Sequence, residues 1–135
     1  MEYSFSPAIP NELEKYAWYR HSEDVSEEEL FAHEVGLKEP NPWGLYDMHG
    51  NLFEWCLDRF EKRYYFRSPI TNPVNTLGRD YVGNIKVTAR IQRGGSFNDN
   101  FHFCRSAARS RNLESPANTV QVHSATGLRV VLEIE

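Results

Sequence analysis

The sequence predicts one α+β domain in which irregular structure outweighs helices and strands. Its 135 residues suffice for a single hydrophobic core but not for two. Hydrophobic residues make up 40% of the chain and charged residues 25%, which is typical of a globular protein and not of a disordered tail. Eight glycines and seven prolines interrupt it, so loops are expected to dominate between short elements.

The first forty residues are predicted to be mostly irregular, and the core is predicted to occupy residues 41–135. Two prolines within residues 4–13 each remove a backbone donor and fix φ, which predicts a loop there. Ser26 and Glu29 have the spacing of a capping box, so a short helix is expected over 26–34.

Beyond residue 41 the sequence predicts three strands and one long loop. Residues 51–60 form an apolar, aromatic run of strand length, 87–93 alternates well enough for a strand, and 128–134 is rich in β-prone residues. Residues 67–85 carry two prolines and two glycines among polar residues and are expected to form a surface loop.

The sequence gives no sign of export or of a membrane span. No stretch approaches eighteen consecutive apolar residues, and the first residues lack the features of a secretory signal. We therefore expect no membrane partner and take a cytoplasmic location as the default. Cys56 and Cys104 lack the spacing of a zinc site, and the missing signal favours two buried thiols over a disulfide.

Charge is distributed unevenly along the chain. Residues 1–62 carry 14 acidic and 5 basic residues, whereas residues 63–135 carry 10 basic and 5 acidic ones. We expect the two halves to attract each other, or one half to attract a partner. The net charge of −4 and the scarcity of lysine argue against a nucleic-acid ligand.

Asp47 and Glu54 flank a glycine turn in a pattern that suits calcium. Two carboxylates, separated by a turn whose carbonyls point inward, are ligands that a hard, oxygen-seeking cation needs. The EF-hand pattern is absent, however, and acids beside Gly-Asn commonly satisfy backbone amides in a tight turn. Spacing alone therefore favours the role of Asp47 and Glu54 as acceptors in a tight turn over a role as calcium ligands.

A second candidate site combines Gly94 and Gly95 with several downstream arginines. Adjacent glycines after a strand permit an anion-binding nest, but phosphate-loop and dinucleotide patterns are missing. The chemistry of arginine favours a structural role over ligand binding, in which these side chains stack on Trp and Tyr or pair with the acids of the first half. Hydrolysis finds little support, because Ser96 lies in G-G-S-F and the five histidines are scattered.

Four segments, in order, closely resemble motifs of the formylglycine-generating enzyme (sulfatase-modifying factor) family. The first, at 41–55, reads N-P-W-G-L-Y-D-M-H-G-N-L-F-E-W and nearly completes the family's N-x-[FW]-G-L-Y-D-M-x-G-N-V-W-E-W. The others are R-I-Q-R-G-G-S-F at 90–97, C-R-S-A-A-R-S-R-N at 104–112 and G-L-R-V at 127–130. The resemblance covers about residues 14–132.

The resemblance implies a fold related to C-type lectins, with sparse regular structure and bound calcium. In the family, an ion is held by the acid or amide of the L-Y-[DN] step, two carbonyls of the G-N turn and the glutamate of E-W. Here these are Asp47, the carbonyls of Gly50 and Leu52, and Glu54, which is the set that spacing suggested.

The sequence departs from the family at the copper centre. Catalytic members oxidise a substrate cysteine to formylglycine with oxygen and a copper ion held by two cysteines shortly after Gly-Gly-Ser. A single thiolate would not reproduce that site. Here the first position falls on Asp99, and Cys104 fits better with non-catalytic relatives that read N-C-R-S-A-x-R. Copper is therefore not expected.

A second departure is the family's N-terminal half, with its motif R-L-P-T-E-A-E-W-E-Y-A, which has no counterpart among residues 1–135. The chain is therefore expected to form the C-terminal half of the family domain, truncated at its N-terminus. Another copy or the missing half is expected to cover the surface left open.

These features favour a non-catalytic, calcium-stabilised module that binds a protein or a small-molecule ligand. The alternative is an oxygen- and metal-dependent oxidase of the formylglycine-generating or ergothioneine sulfoxide synthase type, with metal ligands supplied from elsewhere. The expected ligand surface combines amides, aromatic rings and arginines: Asn98, Asp99, Asn100, Phe101, His102, Arg105, Arg109 and Asn112.

Overall fold

A computed structural model describes residues 10–22, 24, 26, 30–82, 85–113 and 125–131. Regular structure in these residues is sparse, and all its elements are short. In chain order they are α1 (Pro10–Leu13), β1 (Ala17–Trp18), β2 (His49–Gly50), β3 (Phe53–Arg59), a 3-10 turn (Tyr64–Phe66), β4 (Asp80–Val82), β5 (Ile85–Val87), β6 (Ala89–Arg93), β7 (Ser110–Leu113) and β8 (Thr126–Gly127). The α+β class with much irregular structure is confirmed.

A four-stranded sheet of order β7-β6-β3-β8 organises the fold. β6 runs antiparallel to both β3 and β7, whereas β8 pairs parallel with β3. The register between β3 and β6 shifts between Trp55 and Arg59, which is the signature of a bulge. β1 and β2 form a separate parallel pair, and β4 and β5 form a hairpin.

The buried core is small. Leu13, Ala17 and Cys104 are almost fully buried and pack together, with Tyr16, Tyr19 and Phe101 against them. Ala89 and Ile91 of β6 are buried as well. Several large apolar side chains remain exposed, among them Trp43, Leu128 and Val130.

Two of the predicted strands are confirmed, and the predicted loop is wrong in its last part. Residues 51–60 contain β3, and 87–93 contain β6 and the last residue of β5. The loop expected over 67–85 instead ends in the β4–β5 hairpin, because Tyr, Val and Ile favour strands more than the nearby glycines and prolines disfavour them.

The predicted helix over 26–34 is wrong where the structure describes it, and residues 27–29 lie outside the described residues. Residues 30–34 are not helical. The backbone N–H of His33 donates to Asn51 Oδ1, and its carbonyl accepts from Asn51 Nδ2, both at 3.0 Å. His33 therefore uses its backbone groups on a distant side chain, so they are not available to a helix.

Both predicted ends of the chain also differ from the structure. Of the loop expected over 4–13, residues 10–13 form α1, which a proline at the first helical position permits, and residues 4–9 lie outside the described part. The strand expected over 128–134 is replaced by β8 at Thr126–Gly127, and residues 132–134 are not described. No helix in the described part is long and apolar enough to cross a membrane.

Candidate functional site

A glycine turn between β2 and β3 positions the predicted calcium ligands. Gly50 has a φ of +74°, and a Cβ there would lie 2.0 Å from the carbonyl oxygen of Trp18, so only glycine fits. The N–H of Gly50 donates to the carbonyl of Gly94, and the N–H of Asn51 to that of Trp18, each at 2.7 Å. The turn is thereby fixed against both β1 and the loop after β6.

The four predicted calcium ligands line one cleft of ≈ 560 Å³. We call it the Asp47–Glu54 cleft. Asp47 and Glu54 contribute its carboxylates, while Val35, Leu45 and Leu128 are among its apolar lining residues. Asp47, Gly50, Leu52 and Glu54 therefore all line this one cleft, and their role as calcium ligands stays a prediction.

Arg129 enters the same cleft and engages Glu54. Its Nε lies 2.9 Å from both carboxylate oxygens of Glu54, and its Nη2 lies 2.6 Å from Oε1. Nη2 also donates to the carbonyls of Tyr46 at 2.9 Å and Asp47 at 3.3 Å. The hydrogen bonds to Glu54 raise the pKa of Arg129 above its ordinary value. This pair confirms that acids of the first half bind arginines of the second.

The donor set of this cleft fits a calcium ion in part. Asp47 Oδ2 accepts the N–H of Gly36 at 2.7 Å, so this carboxylate satisfies a backbone amide eleven residues away and not one of its own turn. Both oxygens of Glu54 are already bonded to Arg129. An ion would therefore have to share the Glu54 carboxylate with a guanidinium, which reduces the negative charge available to it.

An aromatic stack lies next to the segment that contributes Val35 and Gly36 to the Asp47–Glu54 cleft. The ring of His33 lies parallel to that of Trp18, with centroids 3.6 Å apart, and Phe31 stacks on His33 at 4.4 Å. Lys38 Nζ sits 3.8 Å from the centroid of the Trp18 ring. Burial lowers the pKa of His33. The stack and the bonds to Asn51 fix the segment that carries Val35 and Gly36.

A second cleft, of ≈ 230 Å³, lies on the central sheet beneath the loop that follows β6. We call it the Ser96–Asn112 cleft. Three of the predicted ligand residues, Asn98, Asp99 and Asn112, line it. Sequence reasoning did not include the seven other lining residues in the ligand surface, because strand pairing brings them together from distant parts of the chain: Phe53, Gln92, Ser96, Ser110, Arg111, Ala125 and Thr126.

The Ser96–Asn112 cleft is built from buried, mostly uncharged polar groups. Ser96, Gln92 and Asn112 are 1%, 4% and 6% exposed. Gln92 Nε2 donates to the hydroxyl of Thr126 at 2.9 Å, and the Ser96 hydroxyl donates to Asp99 Oδ2. Buried amides and hydroxyls held in this way offer fixed hydrogen-bonding directions to a ligand.

The other predicted ligand residues lie outside this cleft. Asn100 accepts the N–H of His102 at 3.1 Å, and Phe101 packs on the core. His102 is exposed, and Arg105 is half-buried. Arg109 stacks on the rings of Tyr65 and Phe60, at 4.2 and 5.5 Å from their centroids. The predicted ligand surface is thus divided between separate parts of the molecule.

Both cysteines are free thiols, as expected, and their surroundings differ. Cys104 is fully buried, and burial, with the nearby carboxylate of Asp99, raises the pKa of its thiol to about 12. Its carbonyl lies 2.7 Å from His49 Nδ1, which must therefore carry the ring proton. Cys56 is half-buried in β3, and burial raises its pKa too.

With this geometry in place, comparison with known proteins assigns the family. The model of the sulfatase-modifying factor enzyme 1-like domain matches residues 2–134. The chain belongs to this family. Formylglycine-generating enzymes of Streptomyces coelicolor and Thermomonospora curvata are 40% and 38% identical to it over 76 and 77 residues, each 54% of the chain.

A third relative of this sulfatase-modifying factor domain is a serine/threonine-protein kinase, pkn1, of Chlamydia pneumoniae. It is 35% identical over 95 residues, which cover 70% of the chain and 14% of the kinase. The matched regions are 22% and 23% of the two formylglycine-generating enzymes. The chain thus spans less than a quarter of the length of these curated relatives.

Solved structures support the same fold. Treponema denticola variable protein 1 superposes with a TM-score of 0.67 at 30% identity, over 95% of the chain and 40% of that protein. PvdO from Pseudomonas aeruginosa superposes with a TM-score of 0.51 at 27% identity, over 75% of the chain and 34% of that protein. The expected family fold is therefore confirmed.

Proposed function

We propose that this domain is a non-catalytic binding module whose ligand occupies the Ser96–Asn112 cleft. The observation that carries the proposal is the residue at position 99, which is an aspartate and not a cysteine. The resemblance puts a copper-binding cysteine at this position, where the chain has a carboxylate that accepts a hydrogen bond from Ser96. Asp99 thus completes a polar network in place of a thiolate.

The two cysteines of the chain are poor candidates for a two-thiolate Cu(I) site. A copper ligand must be a thiolate, but the high pKa of Cys104 keeps its thiol protonated at neutral pH. The pKa of the Cys56 thiol responds to the charges of Arg93, Asp58 and Glu54, whereas that of Cys104 responds to Asp99. The two thiols thus lie among different charged groups. The residues present therefore do not fit the copper centre of the catalytic relatives.

The lining of the cleft supports a ligand rich in hydroxyl or amide groups. Gln92, Ser96 and Asn112 are uncharged and more than nine-tenths buried. Groups of this kind recognise neutral hydrogen-bonding partners and leave strongly charged ones poorly solvated. Phe53 adds an apolar surface beside them. A sugar or a peptide segment has the required chemistry.

The ligand proposal is tested by NMR titration of the labelled chain with two probe sets, monosaccharides and N-acetylated dipeptide amides. We expect saturable shifts of Gln92, Asn112 and Thr126 with one set. Asn112→Ala should abolish them, while Asn100→Ala, an amide outside the cleft, should leave them unchanged. Equal shifts in both variants, or none in the unaltered chain, would contradict this assignment.

The non-catalytic part is tested with copper. The unaltered chain, supplied with Cu(I) in competition with a chromophoric chelator, is expected to retain none and to consume no oxygen with a cysteine-containing peptide. Asp99→Cys removes the carboxylate that helps to raise the pKa of Cys104 and adds a second thiol, so this variant is expected to gain Cu(I) binding. One retained copper per unaltered chain, with turnover of the peptide, would instead favour the formylglycine-generating activity for which two relatives are named.

We also propose that Asp47, Glu54 and the carbonyls of Gly50 and Leu52 bind calcium. Their meeting in one cleft supports this, and the Arg129–Glu54 pair should keep the affinity low. EDTA is then expected to lower the melting temperature of a calcium-loaded sample. Arg129→Gln should strengthen binding, whereas Lys62→Gln, an exposed site with the same charge change, should not. An identical melt with calcium and with EDTA would refute this site.

A further inference from the structure

Arg109 lies in a cluster of arginines and aromatic rings that the proposed function does not use. Its Cζ is 4.2 Å from the ring centroid of Tyr65 and 5.5 Å from that of Phe60. We call this cluster, together with Arg93, the Arg109 face. Arg111 also approaches the Phe60 ring, at 5.4 Å from its centroid, but it lines the Ser96–Asn112 cleft and is not counted in this face. Neither Phe60 nor Tyr65 nor Arg109 lines the Ser96–Asn112 cleft.

Arg93 holds the Arg109 face in shape. Its Nη1 donates to the carbonyls of Ala108 at 2.8 Å and Ser106 at 3.2 Å, just before Arg109 in the chain. Its Nη2 donates to the hydroxyl of Tyr65 at 3.0 Å. One guanidinium therefore fixes both the backbone that carries Arg109 and the ring on which Arg109 stacks.

Arg109 is the residue of this face whose hydrogen-bond donors have no acceptor in the described part of the chain. Among the described residues, none accepts a hydrogen bond from the guanidinium of Arg109, although stacking fixes its plane. The Tyr65 hydroxyl accepts from Arg93, which leaves its own hydrogen for another partner. A planar guanidinium held in this way is prearranged for two parallel bonds to an oxyanion.

Among the described residues, the two carboxylates that flank Phe60 in sequence are engaged elsewhere. Asp58 accepts the N–H of Asn75 at 2.7 Å. Glu61 forms an ion pair with Arg67. The guanidinium groups of Arg93 and Arg109 thus meet at this face, and an anion with two charges suits them better than one with a single charge.

We propose that the Arg109 face binds a phosphate group carried as an ester on an apolar or aromatic moiety. Arg109 binds two phosphate oxygens, the Tyr65 hydroxyl donates to a third, and the Arg93 guanidinium supplies charge. The ester moiety lies against exposed aromatic surface, because Tyr65 is 57% exposed and its neighbour Phe66 is 90% exposed. Free phosphate would gain the charge contacts only.

The test is calorimetric titration of the whole chain at low ionic strength, with phenyl phosphate and with inorganic phosphate as probes. We expect saturable binding of phenyl phosphate, at least threefold tighter than that of inorganic phosphate. Arg109→Gln is expected to weaken it at least tenfold. Lys15→Gln makes the same charge change at an exposed residue of another region, and it should alter the affinity less than twofold.

Two further measurements separate recognition from general charge attraction. Arg109→Lys keeps the charge but loses the planar fork, and it is expected to weaken phenyl phosphate at least threefold; it also serves if the Gln variant does not fold. Affinity should rise from pH 5.5 to 7.5, because a phosphate monoester takes its second charge with a pKa of about 6.

The proposal is overturned if phenyl phosphate shows no saturable binding, or if Lys15→Gln weakens it as much as Arg109→Gln does. It is also overturned if Arg109→Lys binds as tightly as the unaltered chain, since a point charge would then suffice. Equal affinity for phenyl phosphate and inorganic phosphate would show that the exposed aromatic rings do not contribute to binding. It would therefore refute the proposal that the ligand is a phosphate ester.

Discussion

The Asp47–Glu54 cleft and the Ser96–Asn112 cleft share the central sheet but satisfy their polar groups in different ways. Phe53 and Glu54 are successive residues of β3, so they point to opposite faces, and each lines a different cleft. In the first cleft, opposite charges bind each other through the Glu54–Arg129 pair. In the second, buried neutral groups form a network around one carboxylate, that of Asp99.

This difference separates a structural role from a recognition role. The Glu54–Arg129 pair connects distant parts of the chain. Because its charged groups already bond each other, they offer little hydrogen-bonding capacity to a ligand. Neutral amides and hydroxyls lining an open cleft keep hydrogen-bonding capacity that a ligand can use. Changes in the Asp47–Glu54 cleft should therefore alter stability more than changes in the Ser96–Asn112 cleft do.

The largest effect is expected at the glycine turn of the Asp47–Glu54 cleft. Gly50→Ala would place a Cβ 2.0 Å from the backbone oxygen of Trp18, so β1 or the turn must move, and we expect a loss of about 3 kcal/mol or more. Denaturant unfolding measures this. Gly44 has a nearly identical φ of +77° with nothing within 4 Å of its would-be Cβ. Gly44→Ala should cost only about 1–2 kcal/mol, and equal losses would refute the steric cause.

The second effect concerns the charge pair. Glu54→Gln keeps the shape of the side chain but removes its charge, and we expect it to lower the free energy of unfolding by about 1–2 kcal/mol. Glu61→Gln is the control, because its partner Arg67 has a side chain 64% exposed, against 35% for Arg129. That variant should lose less than about 0.5 kcal/mol. An equal loss in both would show that burial does not strengthen the Glu54–Arg129 pair.

The smallest effect is expected in alkali, from the thiol beneath the loop of the Ser96–Asn112 cleft. Because the folded pKa of Cys104 is about 12 and the unfolded thiol ionises near its ordinary pKa, stability is retained below about pH 8.5 and lost as pH rises from there toward 12. We expect a loss of about 1 kcal/mol per pH unit above pH 9 from this group. Unfolding curves at pH 8 and 10 should therefore shift less in Cys104→Ala than in the unaltered chain. The same shift in both would assign the alkaline loss to other groups.

The sequence predicted the elements whose signal is local. The apolar run of 51–60 contains β3, and the Gly50 turn was recognised because its neighbours form a contiguous motif. It did not predict the fate of residues 30–34, where a capping-box spacing suggested a helix. The bonds between His33 and Asn51 join residues 18 apart, and no local propensity records such a contact.

The candidate site was predicted in the same uneven way. Asp47, Gly50, Leu52 and Glu54 line one cleft, because all four lie within eight consecutive residues around the β2–β3 turn. The predicted ligand surface was only partly brought together, since Asn112 lies in the cleft and Arg109 outside it. Arg109 precedes β7 and stacks on Tyr65 and Phe60, so a list of neighbours in sequence does not define one surface.

The sequence by itself determined the family and the glycine turn, because each is written in short motifs of residues adjacent along the chain. The tertiary structure alone decided that Arg129 binds Glu54, 75 residues away, and that Arg109 stacks on Tyr65. Those contacts follow from strand register and from which face each residue takes, and both are set only when β3, β6, β7 and β8 pair.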